Sequence, residues 1–74
     1  MKRTEPYPCT METYRGTQNA IPAMKRFARI QDTNAVLLAT NERGVYAVTT
    51  LNDAALRGVD PETVIIICDR NGDY

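Results

Sequence analysis

The sequence predicts an α+β fold: one small domain with a four-stranded, mostly antiparallel sheet, one amphipathic helix and one short helix. Three observations predict it. Apolar residues between positions 20 and 30 recur with the period of a helix. Four other segments are rich in β-forming residues, two of them flanking a tight polar loop. Finally, 74 residues with 43% hydrophobic and 24% charged content make one globular domain and leave no room for a second.

Tyr7, Cys9 and Met11 alternate with Pro8, Thr10 and Glu12, which predicts a half-buried strand over 7–14. Pro8 cannot donate to a ladder, so it belongs near the strand start or on an edge. Arg15-Gly16 breaks the strand. A helix over 20–30 follows. With Asn19 as N-cap, Pro22 is the third helical residue, where a missing N–H costs nothing; with Thr17 as cap it would be fifth and remove a needed donor. Ala20, Ile21, Ala23, Met24, Phe27, Ala28 and Ile30 share one half of the helical wheel, and Lys25, Arg26 and Arg29 the other. Asp32-Thr33-Asn34 ends the helix.

Ala35–Thr40 and Val45–Thr50 flank Asn41-Glu42-Arg43-Gly44, a strong hairpin signal. Asn52 is a good N-cap for a helix of one or two turns, with Leu51 placed to staple against Leu56 and Gly58 just past the end. Asp60-Pro61-Glu62 turns the chain into Thr63–Cys68. That segment is apolar at nearly every position, so it is expected to be buried on both faces. Asp69–Tyr74 reads as a polar turn.

The order β-α-β-β-α-β is that of a ferredoxin-like sheet. Two features sit badly with it: the most apolar strand would lie at an edge, and the second helix is too short to cover much sheet. A homodimer would cover such an edge.

Composition excludes several chemistries. The chain has no histidine and no serine, so His-based triads and bases are out, with most zinc sites. Cys9 and Cys68 form no CxxC pair; in a reducing compartment they read as small buried hydrophobes rather than as a disulfide. Asp69 to Asp73 resembles the start of a calcium loop, but its glycine comes too early and no bidentate Glu follows. Gly16 to Asn19 enters a helix without the spacing of a phosphate loop. The expectation is therefore a non-enzyme with no catalytic residue, cofactor or metal. The longest apolar runs, Ala35–Ala39 and Val64–Cys68, are far shorter than a membrane span, and no apolar stretch follows the first residues as in a signal peptide. A cytoplasmic location without membrane contact is expected.

Nine basic and nine acidic residues cancel overall, yet they are divided along the chain. Residues 1–31 carry six basic and two acidic side chains, residues 32–74 three basic and seven acidic. Two candidate surfaces follow. Lys25, Arg26 and Arg29, with Arg15 nearby and Tyr46 as a stacking platform, would contact a partner or nucleic-acid phosphates. Asp53, Asp60, Glu62 and Asp69 would present a negative face to a basic protein partner.

Tyr14-Arg15-Gly16-Thr17 leading into an amphipathic helix, short strands around Asn41-Glu42-Arg43-Gly44, and an abrupt end at Tyr74 give the chain a style over most of its length. In this it resembles the small accessory proteins of phages and mobile elements, anti-CRISPR inhibitors among them. The resemblance implies a single-domain α+β binder that blocks a host nucleoprotein complex without catalysis. It carries over no individual residue. The sequence thus supports a non-enzymatic protein-binding module first and a nucleic-acid-binding protein, using the basic face of helix 20–30, second.

Overall fold

The computed structural model describes residues 12–74. These form β1 (Glu12–Arg15), α1 (Thr17–Gln31), β2 (Ala35–Ala39), β3 (Val45–Thr50), α2 (Leu51–Leu56), a 3-10 turn at Pro61–Thr63 and β4 (Val64–Cys68). The expected strand over 7–14 is seen from Glu12 onward; its earlier part, with Tyr7, Pro8, Cys9 and Met11, lies outside the described residues.

The four strands make one sheet in the order β1-β3-β2-β4, with every neighbouring pair antiparallel. This is the α+β architecture read from the sequence, but not the ferredoxin-like arrangement, which seats β4 beside β1. Here β4 pairs with β2, at the opposite edge. The helices also separate. α1 covers one face, packing Ala20, Met24 and Ala28 onto Ala35, Leu37, Val48 and Cys68. α2 lies on the other face, where Ala54 and Val59 meet Val36, Leu38, Ala47 and Val64. The alternation of β2 explains this: successive side chains point to opposite faces, and Ala35 through Leu38 are all buried. The strand buried on both faces is therefore β2, and β4, expected in that role, is an outer strand.

α1 begins three residues earlier than the sequence predicts, and Pro22 lies inside it. Gly16 accounts for the difference. Its φ of 83° and ψ of 144° suit glycine alone, and they turn the chain sharply from β1 into the helix. Its N–H donates to Gly44 O at 2.8 Å, and its carbonyl accepts from Ala20 N at 3.0 Å. Asn19 does not cap; its side-chain amide donates back to Arg15 O at 2.8 Å. The missing N–H of Pro22 leaves the carbonyl of Gln18 to solvent, a modest loss at an exposed residue. At the other end Asp32 adopts the left-handed conformation, with Thr33 N donating to Ala28 O and Asp32 N to Arg29 O. Ile30, on the apolar half of the wheel, lies in this last turn beyond the edge of the sheet core and is exposed.

The hairpin forms as expected. Thr40 Oγ1 closes its loop by donating to Val45 O at 2.8 Å while accepting from Glu42 N. α2 follows β3 without a break. Its N-cap is Thr50, not Asn52: the Thr50 hydroxyl accepts from Asp53 N at 2.9 Å. Leu56 is exposed, so it forms no staple with Leu51. Gly58 and Val59 close the helix with bonds to Ala55 O and Ala54 O. No helix among the described residues is long and apolar enough to cross a membrane.

Candidate functional site

The structure disperses the basic candidates. Lys25, Arg26 and Arg29 do share the outer face of α1, but the turn at 69–74 folds over part of it. Arg29 Nε donates to Asn71 O at 3.1 Å, and the Lys25 ammonium sits 5.6 Å from the centre of the Tyr74 ring. Gly72 is buried between them, close to Lys25 Cβ and the Arg29 guanidinium. Arg26 stands open on that face. Arg15 reaches away, to Glu42 in the hairpin loop at 3.2 Å. Tyr46 and Tyr14 pack on the core beneath α1, so neither ring lies on an open sheet. The Tyr14 hydroxyl donates to Glu12 Oε1 at 2.6 Å, and the carboxylate that accepts this proton holds the phenol above its ordinary pKa.

The acidic candidates split in two. Asp53 is a structural residue. Its Oδ2 accepts from Thr49 Oγ1 and from Arg57 Nε, each at 2.8 Å, in a half-buried pocket beside α2. The bond from Arg57 holds its carboxyl below the usual aspartate range, the Thr49 hydroxyl adding to the effect. Asp60, Glu62 and Asp69 instead lie at the two ends of β4. Asp60 and Glu62 lie just before the strand, where Asp60 Oδ1 accepts from Glu62 N and caps the 3-10 turn. Asp69 lies just after it, where its Oδ1 accepts from Asn71 N and Asp73 N. All three are exposed.

Between these acids lies an uncovered apolar edge, which the sequence raised only as a difficulty of the ferredoxin-like order and did not offer as a site. β4 pairs with β2 on one side and with no strand on the other among the described residues. Ile65 is 46% exposed and Ile67 51% exposed. The register slips between Leu37 and Leu38, which makes Ile65 the extra residue of a bulge; Ile66 and Cys68 stay on the α1 face, and Ile67, opposite the buried Val36, faces the α2 side. α2 spans only six residues and leaves Ile67 uncovered. A strand bonded on one side directs alternate N–H and C=O groups outward. Main-chain donors and acceptors, two isoleucines and acidic turns at both ends therefore form one continuous edge. The run Val64–Cys68 was its only sequence signal, and it reads equally well as a buried strand.

On the α2 side an open cleft of about 830 Å³ runs between the hairpin loop and the α2–β4 connection, lined by Thr13, Leu38, Val45, Ala47, Arg57 and Val59 among others. Among the described residues its lining holds no cysteine or lysine. Cys68 is a free thiol buried on the other face, and burial pushes its pKa up, away from the reactive thiolate. Comparison with family models, with curated proteins and with solved structures found no match to this chain.

Proposed function

We propose that this chain is a non-enzymatic protein-binding module that engages its partner through the outer edge of β4. The observation that carries the reading is the exposure of Ile65 and Ile67 on a strand whose outer side has no neighbour among the described residues. Such an edge is a template for a further strand and is ordinarily blunted by Lys or Pro. Here the strand is Val-Ile-Ile-Ile-Cys, with neither. Main-chain bonds along the edge would supply affinity, and the two isoleucines would supply contact selectivity. The inhibitor of a host nucleoprotein complex suggested by the resemblance to phage accessory proteins is a specific form of this reading.

The test is affinity capture from a lysate of the native source or its host, with and without nuclease, using the natural chain and an Ile65→Lys/Ile67→Lys variant. Both side chains are largely exposed, so the variant is expected to keep its circular dichroism spectrum. A stoichiometric protein retained after nuclease and lost with the variant supports the module and its edge. Capture that vanishes with nuclease overturns the protein-binding reading and transfers attention to Lys25, Arg26 and Arg29. Equal capture by the variant removes β4 as the site.

A further inference from the structure

We propose that Asn71 is a site of spontaneous modification, and that its conversion to isoaspartate releases the 69–74 turn from α1. Asn19, Asn34, Asn41, Asn52 and Asn71 are the asparagines of the chain, and only Asn71 precedes a glycine. That pairing favours the reaction, because a glycine has no side chain to hinder the approach of its nitrogen to the asparagine amide. Asn71 is exposed, so water reaches it. The main-chain nitrogen of Gly72 gives its proton to solvent and attacks Asn71 Cγ. The bond from Cγ to the side-chain nitrogen breaks, ammonia leaves with a proton taken back from solvent, and a five-membered imide remains. Water then adds to one imide carbonyl and cleaves its bond to nitrogen. Cleavage at the side-chain carbonyl gives aspartate; cleavage at the main-chain carbonyl reroutes the chain through the side chain and gives isoaspartate. Water is the only co-reactant, and nothing is oxidised or reduced.

The turn sets both the rate and the consequence. Gly72 N donates to Asp69 O at 2.9 Å, and the carbonyl of the same peptide unit, Asn71 O, accepts from Arg29 Nε at 3.1 Å. Attack on Cγ needs the Gly72 proton gone and that peptide plane turned about the Asn71 Cα–C bond. Both hydrogen bonds break first, so the imide forms from the opened turn, at the free-chain rate scaled by the fraction open. Isoaspartate puts one more carbon into the main chain, about 1.5 Å of extra length. The closed turn has no room for it. Asp69 N donates to Asp73 O at 2.8 Å, Asp69 Oδ1 accepts from Asp73 N at 3.0 Å, and Gly72 is buried against Lys25 and Arg29. Displacing Gly72 carries the Tyr74 ring off the Lys25 ammonium and leaves Lys25, Arg26 and Arg29 together on an open helix face. Added length does this, not added charge: a carboxylate at position 71 beside Arg29 is attractive, so aspartate keeps the turn in place.

The experiment incubates the full chain at pH 8.5 and 37 °C beside the synthetic peptide acetyl-Asp-Arg-Asn-Gly-Asp-Tyr. Chromatography and tandem mass spectrometry follow isoaspartate at position 71. The chain is expected to convert roughly two to a hundred times more slowly than the peptide. Arg29→Ala, an exposed change within α1, should keep its circular dichroism spectrum and convert at least about twofold faster than the natural chain. In the purified isoaspartate form, the nuclear Overhauser contact between the Lys25 side chain and the Tyr74 ring should be lost, with amide shifts concentrated in 69–74 and around Lys25 and Arg29. The variant Asn71→Asp should keep that contact. A rate equal to the peptide's, or one slower still than the expected range, would overturn the proposal. Equal or slower conversion of Arg29→Ala would overturn the account of turn opening, and slower conversion would assign Arg29 to stabilising the charge that builds on Asn71 O. An isoaspartate form that keeps the Lys25–Tyr74 contact, or an Asn71→Asp variant that loses it, would overturn release by added length.

Discussion

Replacing Asp53 by Ala tests how a six-residue helix is held on the sheet. The carboxylate ties Thr49 at the end of β3 to Arg57 at the helix end, while the main-chain N–H of Asp53, which Ala keeps, donates to the Thr50 hydroxyl. Thr49 is only 2% exposed, so its hydroxyl loses its acceptor without gaining water, which costs about 1–3 kcal/mol. Loss of the Asp53–Arg57 pair, one helical turn apart and partly buried, adds about 0.5 kcal/mol. A total of about 1.5–3.5 kcal/mol is a large share of the roughly 4–11 kcal/mol expected for a domain this size. It lowers Tm by roughly 10–20 °C. Thermal and urea denaturation followed by circular dichroism measure the change. Thr49→Val paired with Asp53→Ala should show coupling of at least about 0.5 kcal/mol, because the two residues share one bond. Strict additivity, or a Tm loss below about 3 °C for Asp53→Ala, would refute the account. The pH dependence has a definite sign. Arg57 and Thr49 lower the pKa of Asp53 in the folded state, below the 3.8 of a free aspartate. The charged carboxylate's contribution is therefore fully present above that value and lost as pH falls through the folded-state pKa. The stability gap between the natural chain and Asp53→Asn should hold steady between pH 5 and 7 and narrow below about pH 4.

Three further outcomes are expected. Met24→Ala empties a fully buried site where α1 meets the sheet, and the urea midpoint should fall by an amount worth about 2–5 kcal/mol; a loss under 1 kcal/mol would show that the core closes over the gap. Asp32→Gly relieves a left-handed residue at the end of α1 and forfeits only the long, exposed contact with Arg70, so stability should rise by about 0.5 kcal/mol in the same assay, and a decrease would contradict the capping geometry. Gly72→Ala combines a φ of +87° with a Cβ placed 3.3 Å from Lys25 Cβ and 3.2 Å from the Arg29 guanidinium; a cost of about 1–2 kcal/mol is expected, with amide shifts concentrated in 69–74 and around Lys25 and Arg29, and unchanged spectra there would show that the turn does not dock on α1 as described.

Most secondary structure was legible because it is written in local signals. The alternation and loop residues around 35–50 specify the hairpin, and the wheel of Ala20, Ala23, Met24 and Ala28 specifies the buried stripe of α1. Helix starts were less legible because several residues offer plausible caps. Asn19 and Asn52 have the right chemistry, but the chain bends at Gly16 and Thr50, where pairing to the hairpin loop and to Asp53 fixes the entry. The basic and acidic candidates were visible as residue types, and only folding sorted them. Lys25 and Arg29 acquire neighbours from 71–74, forty-odd positions away in sequence, and Asp53 becomes a strut.

By itself, then, the sequence determined the number and kind of elements, the α+β class and the absence of histidine- and serine-based chemistry. Which strand is central was decided by tertiary structure alone. β2 and β4 are both apolar runs of five residues, and period and composition cannot say which receives a helix on each face. That depends on α1 and α2 crossing to opposite sides of the sheet. The crossing buries Val36 and Leu38 as well as Ala35 and Leu37, and it leaves Ile65 and Ile67 at the edge, because strand order is a long-range property settled by total burial rather than by any local pattern.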